Sequence, residues 1–174
     1  MSTWMVVEDE PDIYELLLNM FEMWGIEGVA FVDGEEAIAW IDEVDNGLFK
    51  GDLPELALID IRLPGFIGGE EVGARIRKSS VLGNMGIVLN TAYRLSAEEE
   101  QQVIAIAGAD RLLYKPLPEF GEFKPLLETV LKERRAQKPD TQPAPEAKPV
   151  PTPKAPSPAR RRYRSRRNPP RTTH

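Results

Sequence analysis

The chain has 174 residues, 41% of them hydrophobic and 29% charged, enough for one domain of ordinary size and an appendage. It contains no cysteine, and its single histidine is the last residue, His174; disulfides, zinc–thiolate sites, thiol catalysis and imidazole chemistry within the body of the chain are excluded. The net charge of −6 hides two opposite parts: residues 138–174 hold ten Lys and Arg against Asp140 and Glu146, about +8, which leaves about −14 for residues 1–137.

The elements alternate from the start. Trp4-Met5-Val6-Val7 is a short apolar strand that stops at Glu8-Asp9-Glu10-Pro11. Pro11 and Asp12 suit the first turn of a helix, and Ile13, Leu16, Leu17, Met20, Phe21 and Trp24 recur at helical spacing until Gly25. Val29-Ala30-Phe31-Val32 is a second strand closed by Asp33-Gly34, and Ala37, Ile38, Ile41 and Val44 are the inward stripe of a second helix. Residues 46–54 form a long surface connection.

Leu56-Ala57-Leu58-Ile59 then runs directly into Asp60, and Pro64-Gly65 marks a turn soon after. A short apolar run bounded in this way suits a strand covered on both faces. Gly68-Gly69 opens a third helix; the pair is too little to cradle a phosphate. Ile87-Val88-Leu89 leads into Asn90-Thr91-Ala92-Tyr93, and Ser96 with Glu99 forms a capping box for a helix carrying Val103, Ile104 and Ala107. Leu112-Leu113-Tyr114 is a fifth strand ending in Lys115-Pro116, and a last helix occupies about residues 122–135.

Five strands separated by single helices predict an α/β fold with a doubly wound, flavodoxin-like parallel sheet and five flanking helices. The expected order is 2-1-3-4-5, which sets the exits of strands one and three side by side. Strand ends then deliver Glu8 and Asp9, Asp60, Thr91 and Lys115 to one edge. Three converging carboxylates with no His or Cys call for a hard divalent cation, of which Mg²⁺ is the expected one. The cation, the lysine and the threonine hydroxyl together suit an incoming phosphoryl group.

In these segments the chain resembles the receiver domain of the two-component response regulators, over about residues 4–135. Val7-Glu8-Asp9-Glu10 is similar to the family's acidic pair, and Ile59-Asp60-Ile61-Arg62-Leu63-Pro64-Gly65 to its phospho-acceptor segment. Asn90-Thr91-Ala92-Tyr93 resembles its hydroxyl segment, and Gly108-Ala109-Asp110 with Lys115-Pro116 its closing lysine segment. The resemblance implies that Asp60 takes a phosphoryl group from a sensor histidine kinase or phosphotransfer protein. Glu8, Asp9, Asp60 and the Arg62 backbone carbonyl would hold Mg²⁺, while Thr91 and Lys115 would contact the phosphoryl oxygens. It also implies a cis bond before Pro116, and control of hydrolysis by Arg62 and Tyr93. On that resemblance, enzymatic activity would be limited to the domain's own phosphorylation and dephosphorylation. The family's aromatic position three before the lysine holds Leu112, whose simplest role is core packing.

Residues 1–137 are therefore expected to be the receiver and residues 138–174 a disordered Pro/Ala/Arg-rich tail. Arg160, Arg161, Arg162, Arg164, Arg166 and Arg167, with Tyr163, are a composition that favours nucleic acid or another polyanion. This supports the alternative of a phosphorylation-regulated anchor. No apolar run approaches the roughly 20 residues that span a bilayer, and residues 1–7 do not read as a signal peptide; the expected location is the cytoplasm.

Overall fold

The computed structural model describes residues 1–137. The tail and its arginine cluster lie outside the described residues. Ten elements alternate: β1 (Thr3–Val7), α1 (Pro11–Met23), β2 (Glu27–Phe31), α2 (Gly34–Asp45), β3 (Leu56–Asp60), α3 (Gly69–Lys78), β4 (Gly86–Thr91), α4 (Ala97–Ala107), β5 (Arg111–Tyr114) and α5 (Phe120–Ala136). The strands form one sheet in the order β2-β1-β3-β4-β5, parallel at every pairing. This is the doubly wound arrangement that the alternation predicts.

Side chains alternate across a strand, and both faces of the central strands are apolar, so the sheet builds two cores. Met5, Val7, Ala57, Ile59, Ile87 and Leu89 join residues of α2 and α3 in one cluster. Trp4, Val6, Leu56, Leu58 and Val88 join residues of α1 and α5 in the other. Helix starts follow local chemistry. Asp33 accepts a hydrogen bond from the Glu36 N–H at 2.8 Å. At α4, the Ser96 hydroxyl accepts from the Glu99 N–H at 3.1 Å and the Glu99 carboxylate accepts from the Ser96 N–H at 2.7 Å. Gly108 ends α4 at φ 61, in the left-handed region that glycine occupies without strain.

Several boundaries differ from the sequence reading, each for a tertiary reason. β2 begins at Glu27, because Glu27 and Gly28 pair with Thr3 and Trp4 of β1 beyond the apolar run; Val32 falls outside the strand and is exposed. α5 begins at Phe120, whose ring lies 5.3 Å from that of Trp24. Leu16, placed by spacing in the apolar row of α1, is 47% exposed. With Ile13, Met20, Pro116 and Pro118 it lines an apolar hollow of about 220 Å³ next to Lys115. In α4 only Ala107 is fully buried, and Ile106 faces outward.

Gly69 shows why the turn after β3 needs a glycine. A Cβ there would stand 2.1 Å from the Asp60 carbonyl oxygen, far inside contact distance. The first turn of α3 therefore packs directly on the backbone of the strand end that carries Asp60.

Candidate functional site

The carboxyl ends of β1 and β3 emerge side by side, in a register that pairs Val7 with Ile59. The next residue on each strand is an acid. Glu8 is completely buried, Asp60 is 4% exposed, and exposed Asp9 lies at the rim. One carboxylate oxygen from each of the three lies within 4.8 Å of the others. Like charges this close repel, and burial strengthens the repulsion.

Lys115 offsets it. Its Nζ lies 2.6 Å from Asp60 Oδ2, 3.0 Å from Glu8 Oε2 and 3.4 Å from Glu10 Oε1. The Asp60 contact is a well-formed hydrogen bond. The Glu8 contact is an ion pair whose alignment leaves Oε2 without a proper hydrogen bond. A cis peptide bond joins Lys115 to Pro116, as the family resemblance implies. The other Asp60 oxygen, Oδ1, accepts from the Arg62 N–H at 2.8 Å, and Glu8 Oε1 accepts from the Glu10 N–H at 3.2 Å.

These surroundings shift two groups. Burial, reinforced by the Asp60 charge, pushes the Glu8 carboxyl up from its ordinary 4.5 to about 7, against the pull of Lys115. Burial alone would lower the Lys115 ammonium, but its hydrogen bond to Asp60 and its ion pair with Glu8 outweigh that and raise it above the usual lysine range. Both directions describe a site with surplus negative charge. The donors are all carboxylate oxygens, which suits a hard divalent cation.

The remaining predicted residues are less closely gathered. Thr91 is buried at the end of β4, where its hydroxyl accepts from the Tyr93 N–H at 3.2 Å; its carbonyl accepts from the Lys115 N–H at 2.8 Å, but its hydroxyl makes no hydrogen bond to Asp60 or to the Lys115 side chain. The exposed Arg62 guanidinium lies 4.0 Å from the centroid of the Tyr93 ring, so these side chains stack on each other beside the site. Leu112 packs against the core cluster of α2 and α3, as its simplest reading expects. Tyr114, which spacing did not assign, donates its hydroxyl to Glu100 of α4 and accepts from the Leu95 N–H at 3.4 Å. Asn90 is buried beside Asp60 and also went unassigned.

A five-stranded doubly wound parallel sheet with an acidic cluster and one lysine at its carboxyl edge defines a receiver-type α/β domain. The chain belongs to the response regulator receiver domain family, which it matches over residues 4–123. Solved structures of the same fold include a CheY-like response regulator receiver domain protein from Methanospirillum hungatei. It is 23% identical, covers 79% of this chain and 99% of its own, and has a TM-score of 0.64. The receiver domain of a Pseudomonas aeruginosa sensor histidine kinase, with a magnesium ion coordinated in its active-site cleft, is 21% identical over 75% of this chain and 98% of its own, TM-score 0.61. The BeF3-activated N-terminal receiver domain of RstA from Klebsiella pneumoniae is 23% identical over 75% and 99%, TM-score 0.60. No curated protein matches the chain significantly. Among the described residues, no helix is long and apolar enough to cross a membrane.

The Glu8 shift predicts a pH dependence. As pH rises through 4.5, Glu8 ionises in the unfolded chain but keeps its proton in the folded one until about 7. The folded state then binds more protons than the unfolded state, so stability falls with rising pH across that window and levels off above it. With a chelator present, the wild type should lose on the order of 2 kcal/mol relative to Glu8→Gln between pH 4.5 and 8, read from urea midpoints. Parallel pH profiles for the two proteins would contradict the assignment.

Proposed function

We propose that this domain accepts a phosphoryl group on Asp60 from a phosphohistidine of a partner kinase or phosphotransfer protein. The observation that carries the reading is the Lys115 ammonium 2.6 Å from Asp60 within a cluster of three carboxylates. Glu8, Asp9, Asp60 and the Arg62 backbone carbonyl are the residues that would hold Mg²⁺, which when bound screens the charge of the transferring group. The Asp60 carboxylate attacks phosphorus in line. Its O–P bond forms as the P–N bond to the partner's histidine breaks, and the imidazole leaves with the electron pair. Lys115 is positioned to exchange its contact with Asp60 for one with a phosphoryl oxygen, and Thr91 sits at the next strand end to donate a hydrogen bond. The donor histidine comes from outside residues 1–137, which contain none. The apolar hollow formed by Leu16, Ile13 and Pro116 beside Lys115 offers that partner an adjacent contact surface.

A Mg²⁺-dependent reaction with a small acyl phosphate should add one acid- and base-labile phosphate to the wild type and none to Asp60→Asn. Equal labelling of the two would remove Asp60 from its role.

A second reading rests on composition alone. The arginines Arg160, Arg161, Arg162, Arg164, Arg166 and Arg167 favour a sequence-independent grip on nucleic acid or another polyanion, driven by counterion release. The full chain should then bind nucleic acid at low salt and lose affinity steeply as salt is added, whereas a chain ending at Gln137 should not bind. Identical, negligible binding by both would leave the run as a solubilising segment.

A further inference from the structure

The edge of the sheet carries a buried side chain that the reaction above does not use. On β4, Ile87 and Leu89 enter the core under α2 and α3, and Val88 enters the core under α1 and α5. Alternation therefore sends Asn90 to the side of Val88. On β3, Leu56 and Leu58 enter that same core, so Asp60 projects to the same side, as does Glu8 after Val6 on β1. Asp60 and Asn90 are register partners, and neighbouring strands lie about 4.8 Å apart. Glu8, Asp60 and Asn90 thus form one row across three adjacent strands.

Asn90 is 1% exposed, and neither its Oδ1 nor its Nδ2 finds a hydrogen-bond partner among the described residues. A buried, unpaired amide is unfavourable, and its neighbours Val88, on the same strand, and Leu113, its register partner on β5, belong to an apolar cluster that an aliphatic residue would extend. A residue that weakens the fold where a simpler one would strengthen it points to use in another state of the site.

That state follows from the contacts of Asp60. Its two oxygens are now occupied by Lys115 Nζ and the Arg62 N–H. When Lys115 turns to a phosphoryl oxygen, Asp60 loses that partner and keeps the Arg62 N–H and the cation that would be held there; the Asn90 amide is a buried donor at the adjacent register position. We infer that Asn90 is a positioning residue for phosphoryl transfer: its Nδ2–H takes over the hydrogen bond to the Asp60 carboxyl group and keeps it oriented for in-line attack. This rests on the reading of Asp60 as the acceptor.

The test uses the full chain with Mg²⁺ and acetyl phosphate, comparing wild type, Asp60→Asn, Asn90→Leu and Asn90→Val, with valine serving if leucine does not fit. The expected result is a labelling rate at least about tenfold lower for the Asn90 variants, with a urea midpoint equal to or above that of the wild type and Mg²⁺ affinity within about twofold. Labelling of either folded variant within about twofold of wild type would overturn the inference while leaving Asp60 as the acceptor. A slower rate accompanied by a lower urea midpoint in both variants would also overturn it, since damaged packing would then account for the rate. If the wild type is not labelled, or Asp60→Asn is labelled equally, the acceptor reading falls and this inference falls with it.

Discussion

The Lys115 ammonium, held between Asp60 and Glu8, is the interaction on which the rest of the site depends. Two carboxyl groups are buried at adjacent strand ends, and a third stands at the rim. Such a cluster is unfavourable until a positive charge reaches it. Lys115 supplies that charge, yet burial and the Asp60 charge still push the Glu8 carboxyl up against its pull. The same surplus suits the site to a cation, whose charge together with that of Lys115 would offset the charge of an incoming phosphoryl group. A site that was neutral and fully satisfied at rest would have no such capacity.

The fold contributes placement. Parallel strands in the order β2-β1-β3-β4-β5 bring β1 and β3 together with their carboxyl ends flush. Both faces of the sheet are covered by helices, so Glu8 and Asp60 leave the sheet out of an apolar interior and remain buried as they do. Gly69 lets α3 begin against the Asp60 carbonyl, which holds the strand end rigidly, and the Arg62 N–H fixes one carboxylate oxygen. At the far side, Tyr114 ties β5 to Glu100 of α4, while Leu112 is part of the core. The aromatic contact between β5 and α4 is therefore made by a residue two positions further along than the family resemblance would place it.

Much of this was legible in the sequence because the signals were local. Each strand is a short apolar run, and its polar end falls at a fixed place, so Glu8, Asp9, Asp60, Thr91 and Lys115 stand out in order. The capping residue Ser96 could be read for the same reason, whereas Asp33, read as the close of a strand, proves also to cap α2. What could not be read depended on neighbours. The early start of α5 follows from Phe120 meeting Trp24, and the extension of β2 from its pairing with β1. Leu16 fits the apolar period of α1 yet is half exposed, because the chain after Pro116 leaves an open hollow there. Asn90 lay inside a motif but carried no signal of its own; only its register with Asp60 and its unpaired amide bring it out.

The central claim is that Lys115 holds, by charge, a cluster built to take a cation. Replacing it with methionine removes one partner of a buried ion pair, which costs about 3–5 kcal/mol where nothing else neutralises the carboxylates. The most direct measurement is a Mg²⁺ titration of thermal stability for the wild type beside Lys115→Met. With the ammonium gone, the carboxylates should bind Mg²⁺ more tightly, and the variant should gain more stability from the ion than the wild type does. An equal or smaller gain in Lys115→Met would contradict the account.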